Sequence, residues 1–166
     1  MKLETIKVGR IVNAHGTRGE VRVQPRDGDP AFLTHFQTVI IDGKPVSPTA
    51  NHAHKSFTLL KLPGVDDMNA ALNLKGKDVY IRRSDASDTA YFDDELLGMQ
   101  VCNAETGEVL GTLRRVDSYP AHKVYTVQGE REYLIPAVEG AFIQSVDLDA
   151  DRMEVTVWEG MATDED

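Results

Sequence analysis

The chain has 166 residues, of which 41% are hydrophobic and 27% charged, a composition typical of a soluble globular protein and not of a disordered one. Its net charge of −9 disfavours a protein that binds nucleic acid over its whole surface. No apolar run approaches the roughly 18–20 residues of a membrane span, the first four residues do not begin a signal peptide, and the single cysteine, Cys102, excludes an internal disulfide. We therefore expect a cytoplasmic protein without membrane contact, in which Cys102 is a buried apolar side chain on a strand.

The charge is divided unevenly along the chain. Residues 1–90 contain 13 Lys and Arg against 10 Asp and Glu, whereas residues 91–166 contain 5 against 17. Such asymmetry favours two modules with different partners. The first half is able to approach a phosphate backbone, and the second half would repel nucleic acid and attract a basic protein. On charge alone, an acidic surface that only aids solubility is an equal alternative.

The first predicted element is a β-hairpin over residues 8–23. Its second strand alternates polar and apolar residues, and the turn between the strands, residues 15–19, contains two glycines that can close a tight reversal. Four basic side chains lie at or near this turn: Arg10, His15, Arg18 and Arg22. Contact of this group with an anionic partner is one hypothesis; ordinary surface charges and a hydrogen bond of His15 within the turn are the structural alternative.

Short strands and frequent turns continue through the first half of the chain. The pattern predicts a helical turn at 31–36, strands over 38–41, 45–50, 56–62 and 78–82, and a short helix over 66–74 with Asp66 or Asp67 as its N-cap. This set of elements is typical of a small β-barrel.

A polar stretch without apolar periodicity, residues 84–90, predicts a linker. It separates a first domain, 1–83, from a second domain, 91–161, and an acidic tail, 162–166. In the second domain the pattern predicts strands over 99–103, 109–116 (with a bend at Gly111), 123–127, 132–135 and 153–158, and a coil or helical segment around Phe142 and Ile143. The predicted fold class is all-β, with two small β-barrels joined by a short polar linker.

Candidate chemical sites are few. His52 and His54 share one side of a strand, but no third metal ligand is apparent, so we predict no metal site. The adjacent carboxylates of residues 93–95, together with His15, offer an alternative interpretation as a small hydrolase, which lacks a nucleophile–base pattern. We favour an acidic patch that faces a partner, with no catalytic residue and no cofactor.

Two sequence blocks resemble the RimM family of ribosome maturation factors. The N-terminal block is VGRIVNAHGTRGEVRV, in which the family shows G-R-I, A-H-G and G-E-V at this spacing. The C-terminal block resembles a PRC-barrel domain and runs through Leu96-Leu97-Gly98, Gly107-Glu108-Val109-Leu110-Gly111, Leu134-Ile135-Pro136 and Val146-Asp147-Leu148. Together the two blocks cover nearly the whole chain.

The resemblance implies a monomeric, non-enzymatic assembly factor without a cofactor. It implies binding to the immature small (30S) ribosomal subunit near its head, assistance in the folding and processing of 16S rRNA, and contact with small-subunit ribosomal protein nineteen. It also implies two β-barrels, the first similar to a translation-factor barrel.

The resemblance further implies a protein-binding group at the start of the second domain. The family has two adjacent aromatic residues there that are implicated in ribosome binding. The corresponding residues and the carboxylates that follow them are Tyr91, Phe92, Asp93, Asp94 and Glu95. Phe92 lacks the hydroxyl of a tyrosine, so only its apolar contact is carried over.

The RNA-binding group that we predict for the first domain, from the basic side chains around its turn, consists of Arg10, His15, Arg18 and Arg22. In the loop before Val124, Ala121-His122-Lys123 departs from the Asn-Asp that the family often has, so no carboxylate role is assigned to that loop.

Overall fold

The computed structural model describes residues 1–158 and 160–163, and the chain divides into two compact units. The first unit consists of residues 4–88, and the second combines residues 1–3 with the chain from Thr89 onward. Both units consist mainly of β-strands with few, short helices, which confirms the predicted all-β class. Within the described residues, no helix combines the length and the apolar character needed to cross a membrane.

Residues 4–88, all of which are described, form a seven-stranded sheet in the order β4-β3-β7-β1-β2-β6-β5. A short helix, α1 (Met68–Leu72), begins at the N-cap Asp67, whose side chain accepts a hydrogen bond from the Ala70 N–H at 2.8 Å. The 3₁₀ turns of this unit lie at Phe32–His35 and Arg83–Asp85. The strands are β1 (Thr5–His15), β2 (Glu20–Pro25), β3 (Val39–Ile41), β4 (Lys44–Val46), β5 (Ala50–His54), β6 (Phe57–Lys61) and β7 (Asp78–Arg82).

The hairpin β1–β2 supplies the centre of the first unit's core. Val21 and Val23 are fully buried, and Val21 pairs with the buried Leu60 of β6. Because side chains alternate across a strand, Arg22 lies on the opposite, outer face of the sheet. The alternation predicted from the sequence therefore separates the core face from the polar face of this hairpin.

Two glycines close the turn of the hairpin, as predicted. Gly16 and Gly19 have φ values of +69° and +94°, which side chains other than glycine rarely adopt. A Cβ at Gly19 would lie 2.1 Å from the carbonyl oxygen of Val65, so the turn packs closely against the segment before α1.

The prediction of a single strand over residues 45–50 is wrong. β4 ends at Val46, and the separate strand β5 begins at Ala50. β5 lies at the edge of the sheet and is exposed along most of its length, so no buried face produces an alternating pattern in its sequence. The other predicted elements of this unit are found, with ends that differ from the prediction by at most three residues.

The described part of the second unit forms a six-stranded sheet in the order β11-β10-β9-β8-β13-β12. β13 runs parallel to β8, and the other neighbouring strands are antiparallel. A four-residue helix, α2 (Asp93–Leu96), precedes the sheet. The strands are β8 (Gln100–Asn103), β9 (Val109–Ser118), β10 (Lys123–Gln128), β11 (Glu132–Pro136), β12 (Ile143–Asp147) and β13 (Arg152–Val155). Cys102 is buried on β8, as predicted.

The bend predicted at Gly111 is confirmed. Gly111 pairs with Val101, but the next residue of β8, Cys102, pairs with Val109, so β9 contains a bulge. A Cβ at Gly111 would lie 2.4 Å from the carbonyl oxygen of Gln128, so only glycine allows β9 and β10 to approach this closely.

Two elements of the second unit differ from the prediction. The chain forms strand β12 where a coil or helical segment is predicted around Phe142 and Ile143. The pairing of β12 with β13 shifts register between Ile143 and Ser145, and this bulge interrupts the alternation that identifies a strand. Helix α2 is not predicted, because four residues are too few to show a helical period.

The end of the chain is described only in part. β13 ends at Val155 and not at residue 158 as predicted. Ala162 forms an antiparallel bridge with Tyr133, and the Thr163 N–H donates to the Glu132 carbonyl oxygen at 2.8 Å. These two residues of the predicted acidic tail therefore pair with β11, whereas residues 164–166 lie outside the described residues.

Candidate functional site: two binding surfaces

The strand register places three of the predicted basic residues on one face of the first unit. In the β1–β2 ladder, Arg10 is opposite Gln24, Asn13 is opposite Arg22, and His15 is opposite Glu20. Directly opposed residues point to the same side of a sheet, and this is the side away from the buried Val21 and Val23. We call the surface formed by Arg10, His15, Gln24 and Arg22 the basic face; Glu20 lies on the same side, opposite His15.

His15 and Arg22 hold each other in place on the basic face. The Nη2 atom of Arg22 lies 3.0 Å from Nδ1 of His15. Because a guanidinium can only donate, Nδ1 must accept, and the proton of the neutral imidazole is therefore on Nε2. The Arg22 guanidinium also lies 5.2 Å from the centre of the Phe57 ring, within the range of a cation–π contact.

His54 completes this cluster from the edge strand β5. Its ring centre lies 5.1 Å from that of His15, with the planes tilted by 59°. The two histidines considered for a metal, His52 and His54, are both exposed. Among the described residues, no group of three or more His, Cys, Asp or Glu side chains is arranged to hold a metal ion.

Arg10 lies beside a carboxylate that the sequence analysis did not single out. Its Nε donates to Oδ1 of Asp78 at 3.0 Å, and Nζ of Lys7 lies 3.3 Å from the same oxygen. The hydrogen bond from Arg10, with a smaller contribution from Lys7, lowers the pKa of the Asp78 carboxyl. Arg18 is exposed in the turn between β1 and β2, beyond the paired part of the hairpin.

In the second unit, Tyr91 belongs to a polar network at the edge of the core. Its hydroxyl donates to Oε1 of Glu139 at 2.5 Å, and its ring packs on the core. Burial, together with this hydrogen bond, raises the pKa of Tyr91 well above its usual value. Burial also raises the pKa of Tyr125 to about 12, with smaller contributions from the negative charges of Asp93 and Glu139.

Asp93 forms an ion pair with Lys123, with 2.7 Å between Oδ2 and Nζ. Lys123 belongs to the segment that departs from the family pattern, and here it balances one of the three adjacent carboxylates. Asp94, the next residue of α2, is half-buried. We call the group formed by Tyr91, Phe92, Asp93, Asp94 and Glu139 the aromatic–acidic corner.

Glu95 does not face outward as the predicted protein-binding group requires. Its side chain is only 1% exposed. One carboxylate oxygen accepts from the Leu3 N–H at 3.0 Å and the other from the Phe92 N–H at 3.3 Å. Glu95 therefore joins the first residues of the chain to the start of α2, and it is not part of the surface.

The hydrolase alternative gains no support from these contacts. His15 belongs to the first unit and is held by Arg22, whereas the carboxylates of residues 93–95 belong to the second unit. Asp93 is paired with Lys123, and the Glu95 carboxylate accepts from backbone N–H groups. Neither group contains the nucleophile and adjacent base that hydrolysis requires.

Two family models match consecutive parts of the chain. The model of the RimM N-terminal domain matches residues 6–86, and the model of the RimM PRC barrel domain matches residues 93–161. With the strand content of both units, these matches confirm the two predicted barrels.

Curated relatives match the chain over nearly its full length. A ribosome maturation factor RimM from Clostridium botulinum is 35% identical over 93% of this chain and 93% of its own. Proteins with the same name from Geotalea uraniireducens and Symbiobacterium thermophilum are 34% and 32% identical and cover 95% and 97% of this chain. The Geotalea match includes 95% of that relative, and the Symbiobacterium match 96%.

Proposed function

Because the chain belongs to the RimM family of ribosome maturation factors, we propose that it acts without catalysis in the maturation of the small (30S) ribosomal subunit, where it assists the processing of 16S rRNA. The observation that carries this proposal is the presence of two chemically opposite surfaces on separate units. The basic face suits an RNA, and the aromatic–acidic corner suits a basic protein. A factor of this kind would act by binding both components and would need no reactive group.

Small-subunit ribosomal protein nineteen is the proposed partner of the aromatic–acidic corner. A basic protein would meet a region with 17 acidic residues against 5 basic ones. Tyr91 and Phe92 are half-buried aromatic residues, the type that often anchors protein interfaces. Tyr91, Phe92, Asp93 and Asp94 are the proposed contacts, and Glu95 supports them from inside.

The basic face is the proposed contact for 16S rRNA. Arg22 holds the Nδ1 atom of His15, so the opposite ring nitrogen, Nε2, carries a proton that can be donated to a phosphate oxygen. Arg10 lies on the same face, and the exposed Arg18 extends the positive charge to the tip of the hairpin. Such contacts position an RNA backbone without reading its sequence.

Calorimetric titration of the full chain with purified small-subunit ribosomal protein nineteen tests the protein contact. We expect binding that weakens at higher salt and is at least about tenfold weaker for Tyr91→Ala/Phe92→Ala, in accord with the loss of a central aromatic anchor. Asp94→Asn should weaken binding mainly at low salt. The matched controls are Tyr119→Ala, at a tyrosine that is 58% exposed, and Asp149→Asn, at an exposed carboxylate.

Circular dichroism of each variant shows whether the second unit remains folded. If folded Tyr91→Ala/Phe92→Ala protein binds as tightly as the wild type, the aromatic–acidic corner is not the contact. If the wild-type chain does not bind this protein even at low salt, the proposed partner is wrong.

A further inference from the structure

A cleft at the end of the basic face holds three cationic side chains. Its volume is about 280 Å³, and it lies where the first part of β1 runs beside the end of β2. The lining residues are Lys7, Gly9, Arg10, Gln24, Pro25 and Arg26. We propose that this cleft binds a phosphate group of an RNA backbone; the inference rests on the proposed function and specifies an RNA contact that includes Lys7 and Arg26.

The backbone fixes the shape of the cleft. Gly9 pairs with Pro25, and a Cβ at Gly9 would lie 2.7 Å from Cγ1 of Val23 and 2.8 Å from the carbonyl oxygen of Gln24. Glycine therefore allows β1 and β2 to approach closely beside the cleft. The Arg26 N–H donates to the Val8 carbonyl oxygen at 3.0 Å, which continues the pairing past the end of β2 and fixes the backbone of Arg26.

Asp78 arranges two of the cations before a ligand arrives. Its Oδ1 atom accepts from Nε of Arg10 at 3.0 Å and lies 3.3 Å from Nζ of Lys7. Both side chains are therefore partly ordered in the free protein, which lowers the entropy that binding must remove. Lys7 and Arg10 together carry two positive charges against the one carboxylate of Asp78 that they share, a local balance that favours an anion.

The donor geometry suits a phosphate group. Asp78 occupies the Nε edge of the Arg10 guanidinium, and the Arg10 side chain remains 56% exposed. Guanidinium groups match phosphate oxygens with paired donors, and an ammonium adds a compact charge beside them. Lys7 and Arg10 thus place an ammonium and a guanidinium group side by side, a pair of donors that can bind one phosphate group.

The position of the cleft favours a polymeric source of phosphate. Gln24, which lines the cleft, and Arg22, which holds His15, are two residues apart on β2 and point to the same side. This separation is about 7 Å along a strand. The cleft and the His15–Arg22 cluster therefore form one row along which a phosphate backbone can extend, whereas a free phosphate ion would use the cleft alone.

Fluorescence anisotropy with a labelled 16S rRNA transcript, measured across a salt series on the full chain, tests the proposal. The variants are Lys7→Gln, Arg10→Gln and Arg26→Gln, which keep much of the side-chain stem. The charge-matched control is Arg114→Gln, at an exposed arginine of the second unit. We expect each cleft variant to bind about 3- to 10-fold more weakly at low salt and to reduce the slope of log K against log salt by about 0.7–1, whereas the control keeps both values.

Two further results distinguish this inference from the proposed function. If the wild type binds the transcript and all three cleft variants keep its affinity and slope, the cleft proposal is wrong, and the RNA contact lies elsewhere on the first unit. If the wild type does not bind the transcript, both the RNA part of the proposed function and the cleft proposal are overturned. Titration with inorganic phosphate, followed by the NMR signals of the Gly9 and Arg26 amides, distinguishes an RNA backbone from a free phosphate ion as the ligand. Saturation of the cleft by phosphate in a protein that does not bind RNA would identify a site for the free ion and overturn the proposal.

Discussion

Glu95→Ala is expected to destabilise the second unit strongly, although the residue belongs to a run of three carboxylates that resembles an exposed patch. The substitution removes the acceptors of the Leu3 and Phe92 N–H groups from a position that is 1% exposed. A hydrogen bond to a charged group contributes about 1.5–3 kcal/mol, and partial hydration of the freed N–H groups offsets part of this loss. We therefore expect the free energy of unfolding to fall by about 2–4 kcal/mol.

Urea unfolding followed by tryptophan fluorescence measures this change. Trp158 is the only tryptophan of the chain and lies in the second unit, with its ring centre 4.9 Å from that of Phe142, so its emission reports on the unit that contains Glu95. Glu95→Gln keeps one acceptor oxygen and should have a smaller effect. Asp149→Ala is the control at an exposed carboxylate of the same unit, for which we expect a change below about 1 kcal/mol. If Glu95→Ala unfolds at the same urea concentration as the wild type, these contacts do not hold α2 in place.

Three further substitutions test the second unit. Gly111→Ala should lower the free energy of unfolding by about 2–5 kcal/mol in the same urea assay, because its φ of +153° and the Gln128 carbonyl oxygen at 2.4 Å both oppose a Cβ. Gly107 has a φ of +75° and open space around it, so Gly107→Ala should lower the free energy of unfolding by only about 1–2 kcal/mol. Equal losses for the two variants would contradict the close approach of Gly111 to the Gln128 carbonyl oxygen. Because the pKa of Tyr125 is raised to about 12 in the folded protein, its hydroxyl loses the proton at lower pH in the unfolded chain, and the free energy of unfolding should fall between about pH 10 and pH 12. Tyr125→Phe should make this fall smaller. A variant with the same pH profile as the wild type would contradict the raised pKa of Tyr125.

The elements that the sequence predicts well are those with one buried and one exposed face. In β2, Val21 and Val23 enter the core while Arg22 stays outside, and this alternation is visible in the sequence. β5 lacks such a contrast because it is mostly exposed, and β12 loses it at the bulge between Ile143 and Ser145. Periodicity reports burial, so a strand without a regular buried face leaves no signal.

The basic face could be anticipated only in part. Sequence proximity to the turn groups Arg10, His15, Arg18 and Arg22, and the register places three of them on one side of the sheet. His54 and Phe57 join His15 and Arg22 from strands that lie about forty residues away along the chain. Their participation depends on which strand pairs with β2, and no local pattern contains that information.

The three carboxylates at the start of the second unit show why adjacent residues need not share a function. In a helix, successive side chains point about 100° apart, so Asp93, Asp94 and Glu95 of α2 cannot lie on one surface. Asp93 pairs with Lys123, and Glu95 turns inward to the backbone of Leu3 and Phe92. A basic partner therefore meets less negative charge from this run than its sequence suggests. The acidity of the corner depends also on Glu139, which the chain brings to Tyr91 from 48 residues away.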